Sequence, residues 1–119
     1  RLLDFIPMLI DLKQNEVDYL IDEIDRSMHP MLSQKILECY FSGLESGRDT
    51  QLIFSTHECI LLNLDLIRAG EVWFVEKGKD GASHLTFLAE FKPREDVRKG
   101  YLLGRYGAIP LLPQEAMKW

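Results

Sequence analysis

The fold is decided by two stretches, VDYLIDE at residues 17–23 and QLIFSTHE at residues 51–58. Each begins with a run of β-branched, aromatic and aliphatic residues, which favours a buried strand, and each ends in polar residues. Between them, Pro30 is well placed to open a helix. A strand, a helix of about four turns and a second strand form a crossover unit, which normally joins two parallel neighbours. The sequence therefore predicts an α/β fold with a parallel sheet.

The flanking segments have patterns of their own. A short helix is expected within residues 2–10, where Pro7 is tolerable only in the first turn. The crossover helix should end at Gly47, and a short helix should follow His57. Strands at residues 71–77 and 84–88, around the turn-forming residues 78–81, predict a hairpin. No linker or repeat divides the sequence, so residues 1–119 are expected to form a single domain.

The charge distribution restricts the classes of function. The chain has 14 basic and 19 acidic residues, and the acidic excess lies entirely within residues 1–50, which carry 5 basic and 10 acidic residues. A free-standing nucleic-acid clamp needs a basic surface, so the acidic excess argues against that class of protein. Nucleic acid is left open as a partner, although the sequence does not indicate one. No apolar run approaches the roughly 18 residues of a membrane span. Cys39 and Cys59 fit neither a disulfide framework nor a zinc knuckle, which favours reduced thiols in the cytoplasm.

The candidate chemistry lies where the two predicted strands end. Asp22 and Glu23 follow the first strand, and such carboxylates can hold Mg²⁺ or deprotonate a water. The second predicted strand ends at Ser55 and is followed directly by Thr56 and His57. If the strands are parallel neighbours, both ends lie on one sheet edge, where open α/β sheets bind ligands. Taken singly, the acids could be a solvated loop and the histidine a satisfied loop residue.

As a set, these residues resemble a known family. The stretch VDYLIDE, then IDRSMHP at residues 24–30, a helix, and QLIFSTHE resembles the Walker B strand, D-loop and H-loop of ATP-binding-cassette type ATPases. The nearest branch contains the overcoming-lysogenisation-defect and structural-maintenance-of-chromosomes-like proteins. RAGEVWFVEK at residues 68–77 and YLLGRYGAIP at residues 101–110 look like a bacterial group often considered phage-defence proteins. The resemblance extends from Arg1 to about Leu112.

The resemblance implies a fold and a set of roles. The fold would be the C-terminal lobe of a P-loop NTPase, with a mainly parallel sheet, flanking helices and a C-terminal β-hairpin. Asp22 would contact Mg²⁺ through water, Glu23 would polarise the attacking water, and His57 would contact the γ-phosphate of ATP. Ser27 and His29 would lie in the D-loop, which meets the partner subunit in a head-to-head homodimer. Many transporters of the superfamily have aspartate where His29 stands, which disfavours a transporter; alternatively, His29 is only the residue before a helix-opening proline.

One motif of that family is missing from the sequence. The phosphate-binding pattern GxxxxGK[ST] does not occur in residues 1–119. The chain is therefore expected to be the C-terminal part of a cytoplasmic ATPase domain, hydrolysing ATP only when joined to the Walker A half of the same ATPase.

Two other classes of function are left open. A metal-dependent nuclease of the topoisomerase-primase type would also use acids after a strand, but it requires an Asp-x-Asp pair, whereas this chain has Glu23 and Asp25. A non-catalytic interaction module would use residues 101–110 as its surface.

Overall fold

The computed structural model describes residues 2–43, 48–93 and 96–109. The fold is α/β, and the described residues form three α-helices and two small sheets of two strands each. The chain divides into two units, residues 1–61 and 62–119. Within the described ranges, no helix has the length and apolar character needed to cross a membrane.

Helix α1 (Leu2–Gln14) is longer than the sequence predicts, and it continues through Pro7. A proline inside a helix costs about 3 kcal/mol, since it removes a hydrogen bond and crowds the preceding turn. Burial of three side chains on one stripe offsets this cost, at roughly 1.5–3 kcal/mol each. Those side chains are Phe5, Met8 and Leu12. Another stripe of α1, formed by Leu3, Ile6 and Ile10, is exposed.

Strands β1 (Asp18–Ile21) and β2 (Gln51–Phe54) pair in parallel, which confirms the predicted crossover. The expectation of buried strands is wrong. Side chains along both strands alternate between exposed and half-buried, and Leu20 is 77% exposed. Because successive side chains of a strand point to opposite faces, one face of this sheet is covered and the other is open.

Helix α2 (Pro30–Gly43) connects the two strands and contacts α1. Its buried face consists of Ser33, Ile36, Leu37 and Tyr40. The expected end of the helix at Gly47 lies outside the described residues. After β2, the predicted short helix is a single 3₁₀ turn, Cys59–Leu61, which contacts α2.

The second unit contains the predicted hairpin, formed by β3 (Trp73–Lys77) and β4 (Ser83–Phe87). Gly81 takes a positive φ of 82° in the turn, a conformation that suits glycine. The hairpin is antiparallel, so parallel pairing among the described residues is limited to β1 and β2. The expectation of a mainly parallel sheet is therefore not met.

An aromatic cluster forms the core of the second unit beside the short helix α3 (Val97–Leu102). The ring of Tyr106 stacks on Phe74, with 5.2 Å between centroids, and only 7% of Tyr106 is exposed. A Cβ on Gly100 would lie 2.7 Å from the hydroxyl oxygen of Tyr106, so glycine is needed there. Part of the segment at residues 101–110 thus supports the core and does not form a free surface.

Candidate functional site

The candidate site lies at the carboxyl edge of the parallel sheet. Ile21, the last residue of β1, is in register with Phe54, the last residue of β2. Asp22 and Glu23 therefore leave the sheet at the same edge as Ser55. The expectation that the two strands are adjacent and parallel is confirmed in this respect.

Ser55 connects the ends of the two strands. Its hydroxyl donates a hydrogen bond to Asp22 Oδ1 and accepts one of 2.8 Å from the backbone N–H of Glu23. The Ser55 N–H donates to the carbonyl of Ile21, and its own carbonyl accepts from the N–H of Ile24, both at 3.0 Å. Four hydrogen bonds thus hold the two strand ends together around one serine.

Glu23 has a backbone conformation that is unusual for its residue type. Its φ is 51°, in the left-handed region, where a side chain is sterically disfavoured. The side chain is 43% exposed, and its carboxylate lies 3.9 Å from Arg26 Nε. An exposed ion pair at this distance contributes about 0–1 kcal/mol to stability.

The turn after Glu23 leads to α2. The Glu23 carbonyl accepts a 3.0 Å hydrogen bond from the N–H of Arg26, and the Asp25 carbonyl accepts one of 3.1 Å from Met28. Ser27 is exposed and has a second left-handed backbone, with φ of 59°. Clusters of such conformations occur where the surrounding structure enforces them, often at functional sites.

His29 forms the N-terminal cap of α2. Its Nδ1 accepts a 3.2 Å hydrogen bond from the N–H of Met31, and its carbonyl accepts one of 2.8 Å from Leu32. Since Nδ1 is the acceptor, the ring proton of neutral His29 lies on Nε2. His29 thus has a structural role as the residue that precedes the helix-opening Pro30, in line with the alternative interpretation. Its role in a D-loop stays a prediction.

His57 is exposed, two positions after Ser55. The turn around it is fixed by Thr56, whose hydroxyl oxygen accepts a 2.9 Å hydrogen bond from the N–H of Glu58. The contacts that join the two strand ends run through Ser55, to Asp22 Oδ1 and to the backbone N–H of Glu23. The structure thus brings Asp22, Glu23 and Ser55 into direct contact, and it leaves His57 as an adjacent, solvent-facing side chain.

Sequence reasoning missed Ser55, although a signal existed. Asp22 and Ser55 are each the first residue after a strand, and in a parallel pair of equal register these positions face each other. The equal register alone would have predicted that the hydroxyl of Ser55 lies opposite the carboxylate of Asp22.

The Asp22 carboxylate, at the carboxyl edge of the sheet, can supply one oxygen ligand to a metal ion. Asp22 is exposed, and Ser55 occupies only its Oδ1. Among the residues that the structure describes, no group of three or more His, Cys, Asp or Glu side chains could hold a metal ion. Mg²⁺ commonly binds through one or two carboxylates together with waters and substrate phosphates, so the donor set fits Mg²⁺ that arrives with a nucleotide.

Comparisons with protein-family models, curated proteins and solved structures find no match to this chain. Interpretation of the site therefore depends on its geometry and on the motif resemblance.

Proposed function

We propose that this chain is the C-terminal part of an ATPase domain of the ATP-binding-cassette and chromosome-maintenance type. It would bind and hydrolyse ATP at a subunit interface once joined to its Walker A half. The observation that carries the proposal is the parallel β1–β2 pair, which ends in Asp22-Glu23 on one strand and Ser55-Thr56-His57 on the other. These are the positions at which the Walker B and H-loop residues of the resembled family occur.

Each side chain has a defined task in this proposal. Glu23 orients and deprotonates the attacking water from its half-exposed position at the end of β1. Asp22 would help to hold Mg²⁺ through a water, and the ion would neutralise charge on the phosphates. His57 donates a hydrogen bond to the γ-phosphate from its exposed position. Ser27 and His29 lie in the D-loop and face the second subunit of a head-to-head homodimer.

Two exposed apolar surfaces fit the proposal that a further part of the ATPase packs on this chain. Leu20 and Ile53 face each other across the β1–β2 register and are 77% and 48% exposed. The exposed stripe of α1 described above adds Leu3, Ile6 and Ile10. Exposed apolar surfaces larger than isolated side chains often mark interaction sites. In this proposal, the phosphate-binding half of the ATPase covers the sheet surface at Leu20 and Ile53.

The proposal extends to the cellular setting. Cys39 and Cys59 are free thiols, which fits a cytoplasmic protein. Because residues 68–77 and 101–110 look like a bacterial group often considered phage-defence proteins, we propose that the ATPase acts in phage defence.

The two alternatives are less well supported. A two-metal nuclease site needs several carboxylates that converge, and the described residues offer no cluster of three such ligands. In an interaction module built on residues 101–110, the aromatic side chains would have to be accessible, yet Tyr106 is buried.

The decisive experiment is Glu23→Gln in the protein that carries the phosphate-binding half. The amide is nearly isosteric but cannot act as a base, so turnover should fall by about 10²- to 10⁴-fold while ATP binding is retained. Glu16→Gln, at an exposed glutamate before β1, is the matched control and should hydrolyse ATP normally. Unchanged steady-state hydrolysis in Glu23→Gln, or no ATP hydrolysis by the wild-type protein, would overturn the proposal.

A further inference from the structure

We infer that Ser55 is a positioning residue of this site, whose hydroxyl fixes the Asp22 carboxylate and the Glu23 backbone in one arrangement. The inference rests on the proposed function, and it adds a residue outside the Walker B, D-loop and H-loop roles given above.

The hydroxyl of Ser55 has a defined direction. A serine hydroxyl carries a single proton, and it can accept hydrogen bonds on its oxygen lone pairs. The N–H of Glu23 donates to that oxygen at 2.8 Å, so the hydroxyl proton is directed to Asp22 Oδ1. A hydrogen bond to a carboxylate is charge-assisted and stronger than one between neutral groups. Ser55 therefore holds Asp22 by one oxygen and leaves Oδ2 for a metal-bound water.

The same serine supports the strained backbone at Glu23. A left-handed φ of 51° persists in glutamate only if its surroundings hold it. Ser55 does so twice, through the hydroxyl bonded to the Glu23 N–H and through the carbonyl bonded to the Ile24 N–H at 3.0 Å. The direction in which the Glu23 side chain leaves the backbone thus depends on Ser55.

Substitution separates these contributions cleanly. Ser55→Ala removes both hydroxyl bonds but keeps the backbone bonds to Ile21 and Ile24. Ser55→Thr keeps a hydroxyl at this exposed position. Thr56→Val is the matched control, because it removes the neighbouring hydroxyl, whose bond goes to the Glu58 N–H.

The first measurement is amide hydrogen exchange by NMR on this chain. In Ser55→Ala, the Glu23 amide should exchange about 5- to 10-fold faster, the change expected for loss of one hydrogen bond. The Ile24 amide should be unchanged, and Ser55→Thr should behave as wild type. Thr56→Val should accelerate Glu58 and leave Glu23 unaffected. Unchanged exchange of the Glu23 amide in Ser55→Ala would overturn the inference, whatever reaction the protein catalyses.

The second measurement is the Mg²⁺ dependence of ATP hydrolysis in the protein that carries the phosphate-binding half. Ser55→Ala should raise the half-saturating Mg²⁺ concentration and lower kcat, each about 3- to 10-fold, and Ser55→Thr should restore both. Wild-type Mg²⁺ dependence and kcat in Ser55→Ala, despite faster exchange at Glu23, would also overturn the inference. Absence of hydrolysis in the wild-type protein is a different result, which overturns the proposed function.

Discussion

The hydroxyl of Tyr19 on β1 donates a 2.6 Å hydrogen bond to Asp11 Oδ2 on α1. Asn15 donates a second bond, of 2.7 Å, to the other carboxylate oxygen. These bonds lower the pKa of Asp11, with Tyr19 as the larger cause and Asn15 as the next. The bond to Asp11 is also the main reason that the pKa of Tyr19 is raised. The first strand of the candidate site is therefore tied to α1 by a link that depends on pH.

We expect Tyr19→Phe to lower the free energy of unfolding at pH 7, with a difference from wild type that depends on pH. The lowered pKa of Asp11 stabilises the fold above its ordinary value of 3.8, and this contribution disappears as the pH falls through the folded-state pKa. The raised pKa of Tyr19 stabilises the fold below 10.0, and that contribution is lost as the pH rises through the folded-state pKa. Urea unfolding between pH 2 and 11 is the measurement. A constant difference between the two proteins at every pH would contradict this link.

We expect this chain alone to bind Mg-ATP weakly, with Kd above about 1 mM. Its sequence lacks the phosphate-binding loop, whose backbone amides and lysine contribute most of the anion affinity in such folds. Isothermal titration calorimetry on residues 1–119 is the test. Micromolar affinity would mean that phosphates are bound by other groups of this chain.

Asp22→Ala and His57→Ala should have different effects in the protein with the phosphate-binding half. Loss of Asp22 removes a metal-site carboxylate, so it should weaken the Mg²⁺ dependence of both nucleotide binding and hydrolysis. Loss of His57 removes a donor directed at charge that develops during the reaction, so kcat should fall more than affinity. His84→Ala, at an exposed histidine of β4, is the control and should leave both unchanged. A His57→Ala enzyme with normal kcat and only a raised KM would argue against this role.

The N-terminal cap that His29 forms on α2 should contribute measurably to the free energy of unfolding. Because its Nδ1 satisfies the N–H of Met31, His29→Ala should cost about 0.5–2 kcal/mol of unfolding free energy, the range measured for N-terminal caps. His29→Asp should retain the cap and gain from the helix dipole, so its stability should equal or exceed that of wild type. Denaturant unfolding of the three proteins distinguishes these outcomes. Equal stability of His29→Ala and wild type would show that the cap contributes nothing.

Gly100→Ala should destabilise the second unit by about 1–3 kcal/mol, the usual cost of overpacking a core. The added methyl group would lie within 2.9 Å of three atoms of Tyr106, whose ring is buried against Phe74. Gly70→Ala is the control, since a Cβ there meets nothing within 4 Å. Thermal unfolding should show a lower midpoint for Gly100→Ala only. Equal midpoints would mean that Tyr106 moves aside without loss.

The local pattern was sufficient to predict the elements around the site. The runs at residues 17–21 and 51–55 predicted two strands, Pro30 predicted the start of a helix, and the length between the runs predicted a parallel crossover. The structure has all three, with β2 ending one residue earlier, at Phe54. The burial of the strands was predicted less well. Leu20 and Ile53 are apolar, but the residue type alone cannot reveal whether a further layer covers that face of the sheet. The helix at residues 2–10 was predicted, but its continuation through Pro7 to Gln14 was not, because tertiary burial of Phe5, Met8 and Leu12 outweighs local propensity.

Within the site, contiguous residues were predictable and contacts across strands were not. Asp22 and Glu23 stand out as neighbouring acids, whereas the link from Ser55 to Asp22 joins residues 33 positions apart. The cap formed by His29 escaped prediction for another reason: histidine is not among the preferred cap residues. Its Nδ1 atom nevertheless reaches the Met31 N–H because Pro30 fixes the backbone at the first helical position.

The left-handed backbones at Glu23 and Ser27 have a consequence for how this turn can vary in sequence. Glycine or asparagine would adopt either conformation at lower cost, so a chain selected for folding alone would drift towards them. Glutamate at position 23 makes the fold less stable than glycine would at the same left-handed backbone conformation. Replacement of Glu23 by glycine should therefore give a protein that is more tolerant of heat and unable to use its carboxylate. Stability and chemistry compete at this one residue.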